Sequence, residues 1–297
     1  MNVFITGGTG LIGQAIIHRW LPEHQITVLS RDAGRVKSLF GHDVACCEQL
    51  EAVDINRFDA VLNLAGEPIA NKRWSKQQKS RICQSRWQLT EQLSIKIQQA
   101  HKPPSVFISG SAIGYYGRQD QRCIDENHQD FYPEFSHDIC ARWENLAQRA
   151  ASERTRVCLL RTGIVLAANG GALKKMLPAF RLGLGGRIAD GSQYMSWIHL
   201  DDMVALIDFL LSHSELSGPV NATAPKAVTN ARFTELLAER IKRPAFLPMP
   251  AVMVRLLFGE MGDLLLYGQN VYPKKLLDAG FQFSYPDLRE ALLQLKL

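Results

Sequence analysis

Hydrophobic positions along the first 166 residues fall into short β-branched runs, separated by longer stretches whose apolar residues recur at helical spacing. That alternation is the pattern of βαβ units, in which helices cover a parallel sheet. Strands are expected at NVFIT (2–6), ITVLS (26–30), DVACC (43–47), AVLNLA (60–65), SVFISG (105–110) and VCLLRTGIVL (157–166). Helices are expected near 11–21, 33–40, 75–100 and 136–151. Ile12, Ile16 and Trp20 recur every fourth residue, so the first helix should lie flat on the sheet.

Beyond residue 166 the pattern changes. The stretch 167–195 carries six glycines and a proline, which permits tight turns and reduces regular structure. It reads as a short helix near 172–182 and then a flexible segment, either a lid over a substrate or a long connection. SWIHLDDMVALIDFLL (196–211) returns to strand-turn-helix, with Asp201 as the expected N-cap. From about 223 the tail predicts helices near 230–242, 250–258 and 262–267 around PAFLPMP. The expected fold class is α/β. Residues 1–222 form a Rossmann-like parallel sheet flanked by helices, and 223–297 a small, mostly helical domain on the substrate side.

Composition narrows the function only by exclusion. A net charge of 34 − 29 = +5 suits an anionic ligand but is too small and dispersed to argue nucleic acid or membrane. No stretch approaches the ~18 apolar residues of a membrane span. The start MNVFITGGTGLIG lacks the basic region of a signal peptide. The six cysteines show no C-x-x-C pair and no metal-ligand spacing, so no metal is expected. They read as reduced thiols of a cytoplasmic protein.

ITGGTGLIG (5–13) places Gly7, Gly10 and Gly13 between the first strand and helix. Such a turn needs one glycine for its bend, one for close approach of a pyrophosphate, and one for helix packing. The phosphates then meet the free N–H groups and dipole at the helix N-terminus. The second strand ends in Leu29-Ser30-Arg31, where a hydroxyl and a guanidinium suit a ribose 2′-phosphate. NADP is therefore favoured over NAD, with Asp32 as the ribose acid if the strand ends one residue later.

TGGTGLIG (6–13), LNLAGE (62–67), FISGSAIGYYG (107–117), LRTGIVL (160–166) and WIHLDD (197–202) together resemble the extended short-chain dehydrogenase/reductase family, the NAD(P)-dependent epimerases and dehydratases. PMPA (248–251), FGEM (258–261) and the later GF-x-F-x-YP (280–286) resemble the small C-terminal domain of its YfcH-like epimerase subgroup. The resemblance implies that Thr9, Gly10, Leu11 and Ile12 contact the pyrophosphate and Ser30 and Arg31 the 2′-phosphate. It places Leu64, Ala65 and Gly66 on the adenosine-ribose side and Ile164 near the nicotinamide.

Active members of the family use Asn, Ser, Tyr and Lys, the lysine lowering the pKa of a tyrosine that exchanges protons with the substrate. Ser111 matches the serine. The tyrosine and lysine positions fall on Ser136 and Cys140, and the asparagine position on Arg86. Arg86 cannot titrate, so it would bind phosphate or steady an oxyanion. Tyr115 or Tyr116 is a substitute proton donor, and Cys140 a nucleophile if its pKa were depressed. His137 and Asp138 are expected to point away from that face. His199 reads as structural. The basic run 71–87 reads as a solvated face or an anion-facing surface, and Lys174, Arg181 and Arg187 as further anion contacts.

The expected function is an NADP(H)-dependent, epimerase-like oxidoreductase acting on a small anionic carbonyl or hydroxyl compound. The alternative is a non-catalytic NADP(H) sensor or scaffold, and an authentic nucleotide-sugar epimerase is weakened by the missing Tyr and Lys. The expected partner is a small-molecule substrate, with neither nucleic acid nor membrane, and a homodimer is left open.

Overall fold

The computed structural model describes residues 1–297. Seven parallel strands form the central sheet: β1 (Asn2–Thr6), β2 (Gln25–Leu29), β3 (Val44–Cys47), β4 (Ala60–Asn63), β5 (Val106–Ala112), β6 (Arg156–Thr162) and β7 (Gly218–Ala222). Their spatial order is 3-2-1-4-5-6-7. The order reverses direction between β1 and β4, the switch point at which doubly wound sheets open a crevice for ligands.

Period-two alternation explains the two covering layers. Val3, Ile5, Val28, Leu62 and Leu160 face one side, where α1 (Leu11–Trp20) and α6 (Leu200–Ser212) bring Ile16, Ile17, Leu206 and Leu210. α2 (Ala33–Phe40) joins this layer through Val36 and Phe40. Phe4, Val61, Phe107 and Leu159 face the opposite side, under Leu93 and Ile97 of α3 (Lys76–Gln99) and Ala147 of α4 (Phe135–Gln148). A third core unites α5 (Gly171–Arg181) with α7 (Asn230–Ile241) and the terminal helix Leu288–Gln294, through Leu177, Phe180, Phe233 and Leu292.

Three expectations are corrected. The strand expected over 157–166 breaks at Gly163, where an added Cβ would sit 2.6 Å from the Ser196 carbonyl oxygen. The chain then leaves the sheet, and Ile164–Ala167 pairs with Trp197–His199. β7 was not anticipated, because GPVNA contains residues that disfavour strands. It lies at the sheet edge, where a proline's missing N–H is tolerated. The N-cap of α6 is His199 rather than Asp201, its Nδ1 accepting the Asp201 N–H at 3.2 Å.

The C-terminal segment is stitched to the sheet domain. Asn270–Val271 pairs with Cys123–Ile124, and Val228–Thr229 with Tyr194–Met195. The buried Asp202 carboxylate accepts the N–H groups of Ser284 and Tyr285. Segment 183–189 runs beside 244–249, with Ile188 bridged to Met249, so it is held against the tail. No helix is long and apolar enough to cross a membrane.

Candidate cofactor and active site

The glycine turn is built as its spacing implies. Gly7 adopts φ +73°, and a Cβ there would lie 2.6 Å from the Leu64 carbonyl carbon. This contact joins the carboxyl ends of β1 and β4. At Gly13 a Cβ would meet the Gly7 oxygen at 2.4 Å, so the helix packs directly on the turn. Gly10 differs: its Cβ would find only the Gly7 oxygen, at 3.2 Å, and otherwise open space. Gly10 is also the N-cap of α1, and no side chain caps the helix. Its first-turn N–H groups are thus available to an anion. Leu11 packs beneath Gly170 at the start of α5, while the Thr9 carbonyl accepts Gln14 Nε2 at 2.7 Å.

At the end of β2, Arg31 and Asp32 have different surroundings. Asp32 caps α2 by accepting the Arg35 N–H at 2.9 Å, and its own N–H is donated to Ser30 Oγ at 3.2 Å. One oxygen of that carboxylate is engaged by the helix, and Arg31 is exposed. Arg35 was missed by the sequence reading. Its guanidinium reaches the Thr9 carbonyl at 3.4 Å, which brings an arginine to the turn. The signal was present in RDAGR, where Arg35 sits one helical turn after Arg31.

Leu64 donates its N–H to the Thr6 carbonyl at 3.0 Å, and Ala65 its N–H to Thr6 Oγ1 at 3.4 Å. Both residues are half-buried at the switch point, with Gly66 exposed beyond them. Arg86 lies under Gly66 and donates to the carbonyls of Glu67 and Ile82 at 2.9 and 3.1 Å. Here it braces the 64–67 loop without an acidic partner, and burial lowers its pKa. Ile164 is half-buried two residues beyond β6.

The acid/base positions are sealed. Ser136 and Cys140 are both buried on α4, as their shared helix face implied. Gly114 lies directly over them: its Cβ would be 3.2 Å from Ser136 Cβ and 3.7 Å from Cys140 Sγ. The turn Ile113–Tyr116 thus covers this face of the helix. Burial, and then the Glu144 carboxylate, push the Cys140 thiol up to about 12, which disfavours the thiolate that a nucleophile needs. His137, expected to point away from the Ser136/Cys140 face, is buried and donates Nδ1–H to the Tyr115 carbonyl at 2.5 Å.

Tyr116 is likewise corrected from proton donor to core residue. It is fully buried, donates its hydroxyl to Asn221 Oδ1 at 2.8 Å and accepts from Arg161 at 3.0 Å. Burial pushes its phenol up to about 12. Tyr115 is half-buried, with the Arg161 guanidinium 3.6 Å from its ring centroid. Ser111 is buried at the end of β5 and donates to Glu144 Oε1 at 2.6 Å. Glu144 and Arg161 were not singled out in the sequence. An arginine inside the apolar run LLRTG was their signal, since such a cation requires a buried partner.

A separate cleft of about 500 Å³ opens between the loop after β5 and the C-terminal segment, lined by Gln119, Asp190, Gln193, Arg255 and Tyr267 among others. It shares no residue with the glycine turn.

Comparison with known proteins agrees with this architecture. The NAD dependent epimerase/dehydratase family model matches residues 3–222, and a domain of unknown function, DUF1731, matches 249–295. The chain is 35% identical to epimerase family protein SDR39U1 of Mus musculus over 296 residues, covering 98% of each. It is 39% identical to epimerase family protein Mb2239 of Mycobacterium bovis, covering 98% of this chain and 96% of that one. The crystal structure of human SDR39U1 with NADPH superposes with a TM-score of 0.91 at 34% identity, covering 99% of both chains. MoeE5 in complex with UDP-glucuronic acid and NAD, at 18% identity and a TM-score of 0.78, shares the fold. With its glycine turn at the β1/β4 switch point and a match spanning the whole sheet domain, the chain belongs to the NAD dependent epimerase/dehydratase family.

Proposed function

We propose that the chain binds NADPH and uses it as an epimerase-like oxidoreductase on the carbonyl or hydroxyl of a small anionic substrate. The observation that carries the cofactor is the open space over Gly10 at an uncapped helix N-terminus, a cradle that a Cβ would begin to fill. Thr9 to Gly13 would hold the pyrophosphate through backbone N–H groups, with Leu64, Ala65 and Gly66 along the adenosine ribose. Ser30, Arg31 and Arg35 would hold the 2′-phosphate, in keeping with the NADPH of the human relative. The nicotinamide supplies or accepts the hydride, and Ile164 would border it. Lys175 of α5 donates to the Ala70 carbonyl at 2.8 Å, bringing this helix over the basic 71–81 segment. That cationic surround supports an anionic substrate, and six free thiols support a reducing, cytoplasmic location.

A second reading, an NADP(H) sensor or scaffold without turnover, is favoured by the sealing of Ser136 and Cys140 beneath Gly114. Fluorescence titration of NADPH and NADH tests the cofactor assignment. Arg31→Ala combined with Arg35→Ala should erode the preference for NADPH roughly tenfold or more, and an unchanged preference would remove the arginines from the 2′-phosphate site. Single-turnover oxidation of bound NADPH by a panel of aldehyde and keto acids separates the two readings. Saturable oxidation supports the enzyme, and tight binding without oxidation supports the sensor.

A further inference from the structure

The least satisfied apolar surface of the molecule lies away from the cofactor turn, on the tail. α8 (Ala251–Phe258) buries Val254 but exposes Val252, Met253, Leu256 and Leu257. Positions 252, 253, 256 and 257 form a single stripe at helical spacing, so one whole face of the helix lacks a partner. The two strips leading into this helix extend the surface. Gly183 packs by Pro244 and Gly186 by the Leu247 carbonyl, which runs the segment carrying Leu182 and Leu184 alongside the one carrying Phe246 and Leu247. Leu182, Phe246, Val252 and Leu256 are each between 72% and 75% exposed. Singly exposed leucines need no explanation, but an apolar group of this kind on adjoining segments does.

Charge decides what fits it. The segments 171–189 and 242–258 contain no acidic residue, while Arg181, Arg187, Lys242 and Arg243 are exposed along them. Of the acids that border them, Glu260 pairs with Lys79 and Asp263 with Arg118, while the exposed Asp190 lies near Arg187 and accepts from Ser192. A second copy would present the same cations, so a two-fold contact on this face sets like charges against each other. Apolar side chains rimmed mainly by cations, with Asp190 the one exposed acid directly bordering these segments, match the boundary of an anionic bilayer, where acyl chains lie under negative headgroups.

We propose that this face docks peripherally on an anionic lipid surface, with the apolar side chains entering the headgroup boundary and the basic rim meeting lipid phosphates. The proposal is independent of the cofactor and of any turnover. It revises the expectation of no membrane contact, which rested on the absence of a span and on a small net charge.

Co-sedimentation of the full chain with vesicles tests it. Binding is expected to vesicles of equimolar phosphatidylcholine and phosphatidylglycerol and not to phosphatidylcholine alone, with a steep loss as salt rises. Arg243→Glu should weaken binding roughly fivefold or more, since each surface cation contributes on that scale. Phe246→Ser with Leu256→Ser should weaken it further and leave NADPH affinity unchanged, which shows that the variant folds. The proposal is overturned by no binding to either vesicle, by equal binding to both, or by binding that ignores these substitutions. A dimer in light scattering that the same substitutions dissociate would assign the face to a second copy instead.

Discussion

Glu144 and Arg161 meet as a bidentate ion pair, Nε to Oε1 at 2.9 Å and one terminal amino group to Oε2 at 2.8 Å, both side chains buried between α4 and β6. Ser111 and Tyr116 each donate to or accept from this pair, so the serine after β5 is tied to the same network. Removing one partner of such a pair leaves a buried charge without compensation. Glu144→Gln preserves volume and is expected to cost about 3–5 kcal/mol in denaturant unfolding. A loss under about 1 kcal/mol would mean that the pair is solvated in solution, as exposed pairs are.

The glycines of the turn should separate by substitution. Gly13→Ala forces a Cβ to within 2.4 Å of backbone and should disrupt the turn itself, lowering thermal stability and NADPH binding together. Gly10 has φ −81°, a conformation any residue adopts, and its Cβ would meet only the Gly7 oxygen, at 3.2 Å, a contact that a shift of a few tenths of an ångström relieves. Gly10→Ala should therefore fold with a far smaller loss of stability than Gly13→Ala and lose NADPH affinity by roughly tenfold or more, measured by titration. Equal affinity in Gly10→Ala would mean that the pyrophosphate does not approach there.

Cys140 should be chemically silent. With the thiol near 12, its thiolate fraction at neutral to mildly alkaline pH is on the order of 10⁻⁴ or less, and it is sealed from solvent. Alkylation followed by peptide mass spectrometry should mark the exposed Cys46 and Cys123 in the native protein, and Cys140 only after denaturation. Rapid native labelling of Cys140 would restore it as a nucleophile.

His199 makes stability sensitive to acid. Burial lowers its pKa from the ordinary value, against the opposing pull of Asp201 and Asp202. Its Nδ1 accepts the Asp201 N–H, and its Nε2 is buried without a partner. The unfolded chain therefore binds more protons between the lowered value and about 6.5, so this contribution is complete above that window and lost as pH falls through it. His199→Asn keeps an acceptor for the helix and removes the titration. Its melting temperature should decline less than the parent's between about pH 7 and pH 5. Parallel pH curves would show that His199 does not titrate in this range.

Much of the cofactor half was legible in the chain because its determinants are local. Gly7, Gly10 and Gly13 sit within one strand-turn-helix, and Ser30 and Arg31 directly at the end of the next strand. β7 was missed since its pairing with β6 is long-range and its residues disfavour strands locally. Arg35 was overlooked although it stands on the first turn of α2, because only the folded chain brings it to Thr9.

The sequence by itself determined the alternating layers and the glycine turn, since periodicity and residue identity are properties of neighbours along the chain. Tertiary structure decided what became of the vacated positions: Gly114 closes over Ser136 and Cys140, and Tyr116 turns inward to Arg161 and Asn221. It also gathered dispersed leucines and cations into one face that net charge had averaged away. Contacts between distant segments set burial and charge environment, and these decide whether a thiol ionises, a phenol reaches a ligand, or an apolar helix faces water.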